Sequence, residues 1–135
     1  MKMINVTTSK RQEFVDITRE IEEIVTSSGV NDGACLVYVP HTTAGVMINE
    51  NADPDVMYDI GGFLKDMVPE SPYFAHREGN SDAHIKSGLV GPSITVPVCG
   101  GGLALGRWQG IYFAEFDGPR RRDVYIALIR GTDND

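Results

Sequence analysis

The chain holds three histidines, His41, His76 and His84, each placed where a loop or the end of an element is expected. Neutral imidazole is the commonest protein ligand for zinc and similar cations, and a catalytic zinc site takes three protein ligands and leaves a position for water. Three histidines could make such a site, although their spacing matches no zinc finger or zincin pattern. Read separately, they are three unrelated loop histidines. Glu50, Asp53, Asp55, Glu78 and Asp82 lie close to them in sequence and could orient a ligand or act as acid or base. Asp53 and Asp55 have a structural role open to them as helix cap and dipole partner. Glu50 and Glu78 have none.

The last third of the chain adds a second group. Glu115 stands among apolar strand residues, where a charge usually needs a partner, and a pairing with Arg120 would be informative. Asp117 opens the turn Asp-Gly-Pro-Arg, a common position for aspartate. Trp108 and Gln109 offer an aromatic face with an amide beside it, suited to stacking a heteroaromatic ring and equally at home in a core. Arg120, Arg121 and Arg122 form the one basic cluster, and a guanidinium fork matches phosphate oxygens. The same cluster could instead be a solvated strand end that limits edge pairing. Thr42, Thr43 and Ser87 could be nucleophiles beside a histidine, yet no strand-turn-helix elbow surrounds them. The run CGGGLALG lacks the lysine and Ser/Thr of a phosphate-binding loop and opens no helix.

Several elements must position these groups. Residues 4–9 predict an opening strand; Phe14, Ile17, Ile21, Ile24 and Val25 then recur at helical spacing until Gly29. ACLVYVP (34–40) and GVMI (45–48) predict two strands flanking His41–Ala44. Asp53-Pro54-Asp55 supplies a cap, a first-turn proline and a first-turn acid. The helix that follows carries Val56, Met57, Ile60, Phe63, Leu64 and Met67 as its stripe, is weakened at Gly61-Gly62 unless something packs closely there, and ends at Pro69. Between Pro69 and Asp82 lies a long polar loop, and loops of that length that carry His76, Arg77, Glu78, Asn80 and Asp82 are candidates for function. A short helix over 82–89 follows, then strands at 94–98, 103–105, 108–116 and 123–130, with a frayed end at 131–135. In the last strand both faces are apolar, which implies a central strand or a face buried in an oligomer. The class is α+β, one domain over 1–135, with a mostly antiparallel sheet and two main helices.

Composition narrows the partners. At 135 residues the chain can bury roughly 65–70% of its unfolded surface in one core. With 12 Lys and Arg against 19 Asp and Glu, the net charge of −7 opposes non-specific attraction to nucleic acid. No run approaches the roughly 18–20 apolar residues of a membrane helix. MKMINVTTSK lacks the apolar core of a secretory signal, so a cytoplasmic setting is expected. Cys35 and Cys99 sit in or beside apolar runs, and buried thiols are expected rather than a disulfide scaffold.

Taken together, HTTAGVMINENADPDV (41–56), HREGNSDAHIKSGLVGPS (76–93) and GRWQGIYFAEFDGPR (106–120) resemble the YjbQ-like family, also called the secondary thiamine-phosphate synthase family, across nearly the whole chain. The resemblance implies a compact α+β domain assembling as a homotrimer, with a pocket around the polar motifs and near a subunit boundary. The family's three histidines fall on His41, His76 and His84, which implies a divalent metal there, zinc first and magnesium second. Its other polar positions fall on Asn49, Glu50, Asp53, Glu78, Asn80, Asp82, Ser87, Gln109, Glu115, Asp117 and Arg120. Among them Glu50, Glu78, Glu115 and Asp117 are the candidate catalytic carboxylates. Asn49, Asn80, Ser87, Trp108, Gln109 and Arg120 are the candidate substrate contacts. One position departs: Arg107 stands where the family usually has threonine, adding bulk and charge beside Trp108.

The associated activity would join hydroxymethylpyrimidine diphosphate to thiazole phosphate and release pyrophosphate. Departure of pyrophosphate needs cationic stabilisation, the pyrimidine needs a stacking surface, and water must be kept away. Arg120, a histidine-bound metal and Trp108 could fill these roles. Zinc on histidines suits activation of water at least as well, which makes the synthase reaction a candidate side activity of an enzyme acting on a small phosphorylated metabolite. Two other readings stand beside it: a metabolite-binding trimer without catalysis, and a structural metal that holds a trimer together.

Overall fold

The computed structural model describes residues 1–132; of the end expected to fray at 131–135, Gly131 is tied down by its amide, which donates to the Asp32 carbonyl at 2.8 Å, and 133–135 lie outside the described residues. In chain order the elements are β1 (Lys2–Thr7), β2 (Glu13–Asp16), α1 (Thr18–Ser28), β3 (Gly33–Tyr38), β4 (Ala44–Glu50), α2 (Pro54–Met67), α3 (Ser81–Val90), β5 (Ser93–Cys99), β6 (Gly102–Leu103), β7 (Gln109–Glu115) and β8 (Arg121–Arg130). They form two antiparallel sheets, a five-stranded one in the order β1-β8-β3-β5-β6 and a three-stranded one in the order β2-β7-β4. No helix among the described residues is long and apolar enough to cross a membrane.

Period-two alternation sends one face of each sheet to a shared core. Cys35 and Val37 of β3, Val96 and Val98 of β5, and Val124 and Ile126 of β8 meet Val46 of β4 and Ile111 and Phe113 of β7. Ile17, Ile21 and Val25 on and before α1 complete this core. The other face of the small sheet packs beneath α2 and α3, where Ala114 and Phe116 meet Leu64 and Ala83, with Phe14, Met47, Ile60 and Val90 around them. The expected central strand is β8, flanked by β1 and β3.

Some expectations change. Phe14 continues the three-and-four spacing of Ile17 and Ile21, but it belongs to β2, opposite Ala114 of β7, and meets Phe116 edge to face at 6.2 Å. Pairing with β7 satisfies the backbone of 13–16, so the helix begins only at Thr18. Asp53 caps α2 as expected, its Oδ1 accepting from the Asp55 amide at 2.9 Å. The stripe of α2 is narrower than its sequence, because Phe63 and Met67 face outward and only Met57, Gly61 and Leu64 are buried. Gly61 does lie in close packing, since a Cβ there would come within 3.2 Å of the Phe14 ring, whereas Gly62 has open space. Cys35 is buried but Cys99 is exposed, because it pairs with Gly102 at the outer end of β5; both are free thiols.

The alternation that sends Ile111 and Phe113 inward sends Glu115 inward too, and on β8 Arg122 shares the face of Val124 and Ile126. The two charges therefore meet inside the core, one from each sheet. Glu115 is paired with Arg122 rather than with Arg120, because Arg120 lies in the turn before β8 and its guanidinium points outward. Arg122 Nε donates to Glu115 Oε1 at 2.9 Å and Oε2 at 3.2 Å, and its Nη2 donates to the same carboxylate and to Thr43 Oγ1 at 2.8 Å. Thr8 Oγ1 and the Asp117 amide complete the carboxylate's partners, at 2.9 and 3.0 Å. Gly118 lets the following turn close on the chain at Lys10, where a Cβ would stand 2.3 Å from the carbonyl oxygen.

Burial alone would raise the Glu115 carboxyl, but its hydrogen bonds from Arg122, the Asp117 amide and Thr8, with the Arg122 charge, hold it below its ordinary value. A depressed carboxyl contributes stability that is present above the unfolded value, about 4.3 for glutamate, and is lost as pH falls through the folded value. Glu115→Ala strands a buried guanidinium and is expected to cost about 3–5 kcal/mol in urea unfolding. Glu115→Gln is expected to flatten the fall in stability on acidification below about pH 4. An unfolding midpoint unchanged by Glu115→Ala would contradict this account of the pair.

Candidate functional site

Two connections cross from one sheet to the other at the same end of the core. The segment 39–43 leaves β3 in the large sheet and enters β4 in the small one, and 116–120 leaves β7 in the small sheet and enters β8 in the large one. Both rest on the Glu115–Arg122 pair: Arg122 grips Thr43 from below, Thr43 O accepts from the Phe116 amide at 3.1 Å, and Glu115 holds the Asp117 amide. The long loop before α3 lies across them and closes a cavity of about 700 Å³. His41, His76, His84, Glu78, Asn80, Asp117 and Arg120 all line it, with Tyr38, Thr42 and Thr43. Three stretches far apart in sequence thus converge on one space.

His41 has a defined state. Its Nε2 accepts from the Asp123 amide at 2.9 Å, which places the proton of the neutral ring on Nδ1. Burial and then the Arg122 charge push the imidazole below its ordinary value, so it is neutral near pH 7. Across the cavity His76 and His84 meet edge to face with centroids 5.4 Å apart, and Glu78 Oε1 lies 4.0 Å from His76 Nε2. Asp117 Oδ2 accepts from Asn80 Nδ2 at 2.9 Å and from Arg120 Nη2 at 3.1 Å, while Arg120 Nε donates to the Asp117 carbonyl at 2.9 Å. Asn80 stands at the N-cap of α3, yet its side chain makes no cap bond and is spent on Asp117; its Oδ1 is buried without a partner.

As they stand, no three His, Cys, Asp or Glu side chains among the described residues converge as a ligand set for a metal. The donor chemistry nonetheless separates into two parts. His76 and His84 lie in ring contact with centroids 5.4 Å apart, an edge-to-face packing that does not by itself aim two ring nitrogens at one point. Glu78 Oε1 stands beside His76 at 4.0 Å. His41 fits poorly, since one ring nitrogen is used by the Asp123 amide and the other carries the proton.

The remaining candidates lie elsewhere. Glu115 is fully buried and supports the cavity without opening to it. Ser87 is buried and donates to Ala44 O at 2.7 Å, fastening α3 to β4. Asn49, Glu50, Trp108 and Gln109 sit at the far end of the small sheet: Glu50 pairs with Gln109 where Ala44 pairs with Glu115, six residues or about 20 Å away. There Asn49 Oδ1 accepts from the Glu50 amide, Gln109 Oε1 accepts from Gly106, and Trp108 is exposed with the Arg107 guanidinium 4.8 Å from its ring centre. Arg107, the departure from the resembled pattern, therefore occupies a face of the tryptophan. Asp82 faces away from the cavity into a separate cluster of charges with Arg11 and Lys86. Sequence reasoning did not single out Tyr38 or Thr8, and saw Arg122 only as part of a run; the inward face of β8 is the signal that marks Arg122.

Comparison with known proteins agrees with this architecture. The family model described as UPF0047 protein YjbQ-like matches residues 2–131. A UPF0047 protein of Methanocaldococcus jannaschii is 56% identical over 124 residues, covering 92% of this chain and 90% of its own. The UPF0047 protein YugU of Bacillus subtilis is 51% identical, covering 96% of this chain and 98% of its own. Among solved structures, an uncharacterized conserved protein of the YjbQ/UPF0047 family from Clostridium acetobutylicum superposes with a TM-score of 0.93 at 49% identity, covering 96% of this chain and 100% of its own. A YbjQ-like protein of unknown function from Sulfolobus solfataricus superposes at 0.92 with 34% identity, covering 96% of each chain. With the family model and full-length relatives in agreement, the chain belongs to the YjbQ-like UPF0047 family.

Proposed function

We propose that the chain is an enzyme acting on a small phosphorylated metabolite in the cavity over the Glu115–Arg122 pair, with a divalent cation, zinc first and magnesium second, as cofactor. The observation that carries this reading is the convergence of His41, His76, His84, Asp117 and Arg120 on one space from three separate stretches of chain. Arg120 is the phosphate contact: Asp117 holds it through the carbonyl and one carboxylate oxygen, which leaves guanidinium donors for an anion. His76, His84 and Glu78 are the residues that would hold the cation, and a cation there would supply positive charge to phosphate oxygens. His41, neutral with its proton on Nδ1, donates a hydrogen bond to the ligand. Asn80 positions Asp117 and so Arg120.

Thiamine-phosphate synthesis is the finer form of this reading, as a main or a side activity. In it Arg120 meets the departing pyrophosphate, while Trp108, the expected stacking surface, lies about 20 Å away along the same chain. Trp108 joins such a site only from a second copy. A homotrimer accords with the outer face of the large sheet, where Ile129 is exposed and Tyr38 and Tyr125 stack at 6.3 Å. A cytoplasmic setting accords with two free thiols.

The test of the reading is Arg120→Ala measured against matched ligands. Affinity for inorganic pyrophosphate and for phosphorylated hydroxymethylpyrimidine is expected to fall about 10- to 100-fold, with binding of the dephosphorylated pyrimidine unchanged. Equal losses for both forms would overturn the assignment, and tight binding without turnover of any phosphorylated ligand would make the chain a binding protein. For His41, nitrogen NMR near pH 7 is expected to show the neutral Nδ1–H tautomer, with the Asp123 amide shift altered in His41→Ala. An imidazolium at pH 7 would contradict the role given to it.

A further inference from the structure

Helix α3 is built inside out. An amphipathic helix at a protein surface turns its apolar stripe inward, whereas α3 buries Asp82 and Lys86 beside Ala83 and Ser87 and exposes Ile85 and Leu89. Burying a charge is costly unless it is paired and hydrogen-bonded, so an inward lysine at 4% exposure demands an account of its partners. Asp82 is the carboxylate that meets it, with Oδ2 at 3.3 Å from Lys86 Nζ. The same carboxylate is already held from its other side by Arg11, whose Nη1 and Nη2 donate to its two oxygens at 3.0 and 3.1 Å. One buried negative charge thus serves two cations.

The shortfall falls on Lys86. An ammonium has three donors, and among the described residues the single acceptor for them is an oxygen shared with Arg11. Glu70 does not make up the difference, because it lies on the Arg11 side at 3.5 Å from Nη2 and is largely exposed. Lys86, Asp82 and Arg11 line a cavity of about 460 Å³ whose rim also carries Lys10, Lys65 and Glu70. Its ionisable side chains are four cations and two anions, in a chain whose net charge is −7. A volume of this size falls within the range of small-molecule sites, roughly 300–1,000 Å³.

We infer that this cavity, formed by α3, the end of α2 and the segment before β2, is a second anion site that takes a phosphate-class oxyanion, free or as a phosphomonoester. The oxyanion supplies the acceptors that Lys86 lacks and balances the excess positive charge. Lys10 and Lys65 meet it from the rim, and Arg11 is held ready by Asp82. The site is distinct from the one over the Glu115–Arg122 pair, shares no lining residue with it, and stands whether or not that cavity is catalytic.

Amide NMR of the isotopically labelled full chain tests it, with inorganic phosphate and glycerol 2-phosphate titrated at constant ionic strength against chloride. Saturable shifts are expected at the amides of 10–12, 65, 70 and 86 with phosphate and not with chloride. Lys10→Ala combined with Lys65→Ala, both at exposed positions, is expected to weaken that binding about tenfold, and Lys86→Gln to abolish it. Arg120→Ala is expected to leave it unchanged, which separates this site from the first. Glycerol 2-phosphate binding at least as tightly as inorganic phosphate identifies an ester as the ligand; weaker binding identifies free phosphate. Absence of saturable shifts at these amides, equal shifts with chloride, or an unaltered titration in the Lys10/Lys65 double variant would overturn the proposal.

Discussion

The pairing of Glu115 with Arg122 is the constraint on which the rest of the molecule depends. Each residue sits at the end of an inward-facing row of apolar side chains, one row in each sheet, and the two rows end at the same level because their charges must meet. A buried ion pair contributes little net stability relative to a well-packed apolar substitute, while losing one partner is severe. Its value here lies in registration. With Thr43, Thr8 and the Asp117 amide as further partners, it fixes the heights of two sheet-crossing connections at once. Those connections are the floor of the cavity, so the site inherits its geometry from a core interaction and not from its own loops.

That dependence explains which residues of the motifs share a site. His41 reaches the cavity from the connection that Thr43 anchors, and Asp117 and Arg120 reach it from the one that Glu115 anchors. His76, Glu78, Asn80 and His84 come from the loop and helix laid across them, held down by Asn80 on Asp117 and by Ser87 on β4. Trp108 and Gln109 belong to the same sequence motif as Glu115 and Asp117, but an extended strand of seven residues separates them. Neighbours along a strand are distant in space, and the spacing of a motif does not reveal this until its strand is recognised.

Much of the fold is legible from residue pattern. The cap, proline and acid at 53–55 mark the start of α2, and the doubly apolar pattern of 124–129 marks a central strand. Phe14 misleads because its spacing to Ile17 suits a helix, while the tertiary pairing with β7 decides the matter. Arg120 is nearer to Glu115 along the chain, but strand parity decides the partner: position 122, not 120, shares a face with Val124 and Ile126. The three histidines are legible as candidates, but the Asp123 amide that engages His41 leaves no trace in sequence, since any residue there carries the same backbone group. The helix of α3 is legible, but its inversion is not, because charges at helical spacing do not say which side faces inward. Which side is buried depends on Arg11, seventy-one residues away.

In the proposed reading, the cavity above the buried pair takes a cation and a phosphate, with His76 and His84 as ligands and His41 as a hydrogen-bond donor. Elemental analysis of protein purified without added metal, for the wild type and for His76→Ala, His84→Ala and His41→Ala, tests this most directly. About one zinc per chain is expected in the wild type, lost in the first two variants and retained in His41→Ala. No metal in the wild type, or undiminished metal in both His76→Ala and His84→Ala, would contradict it.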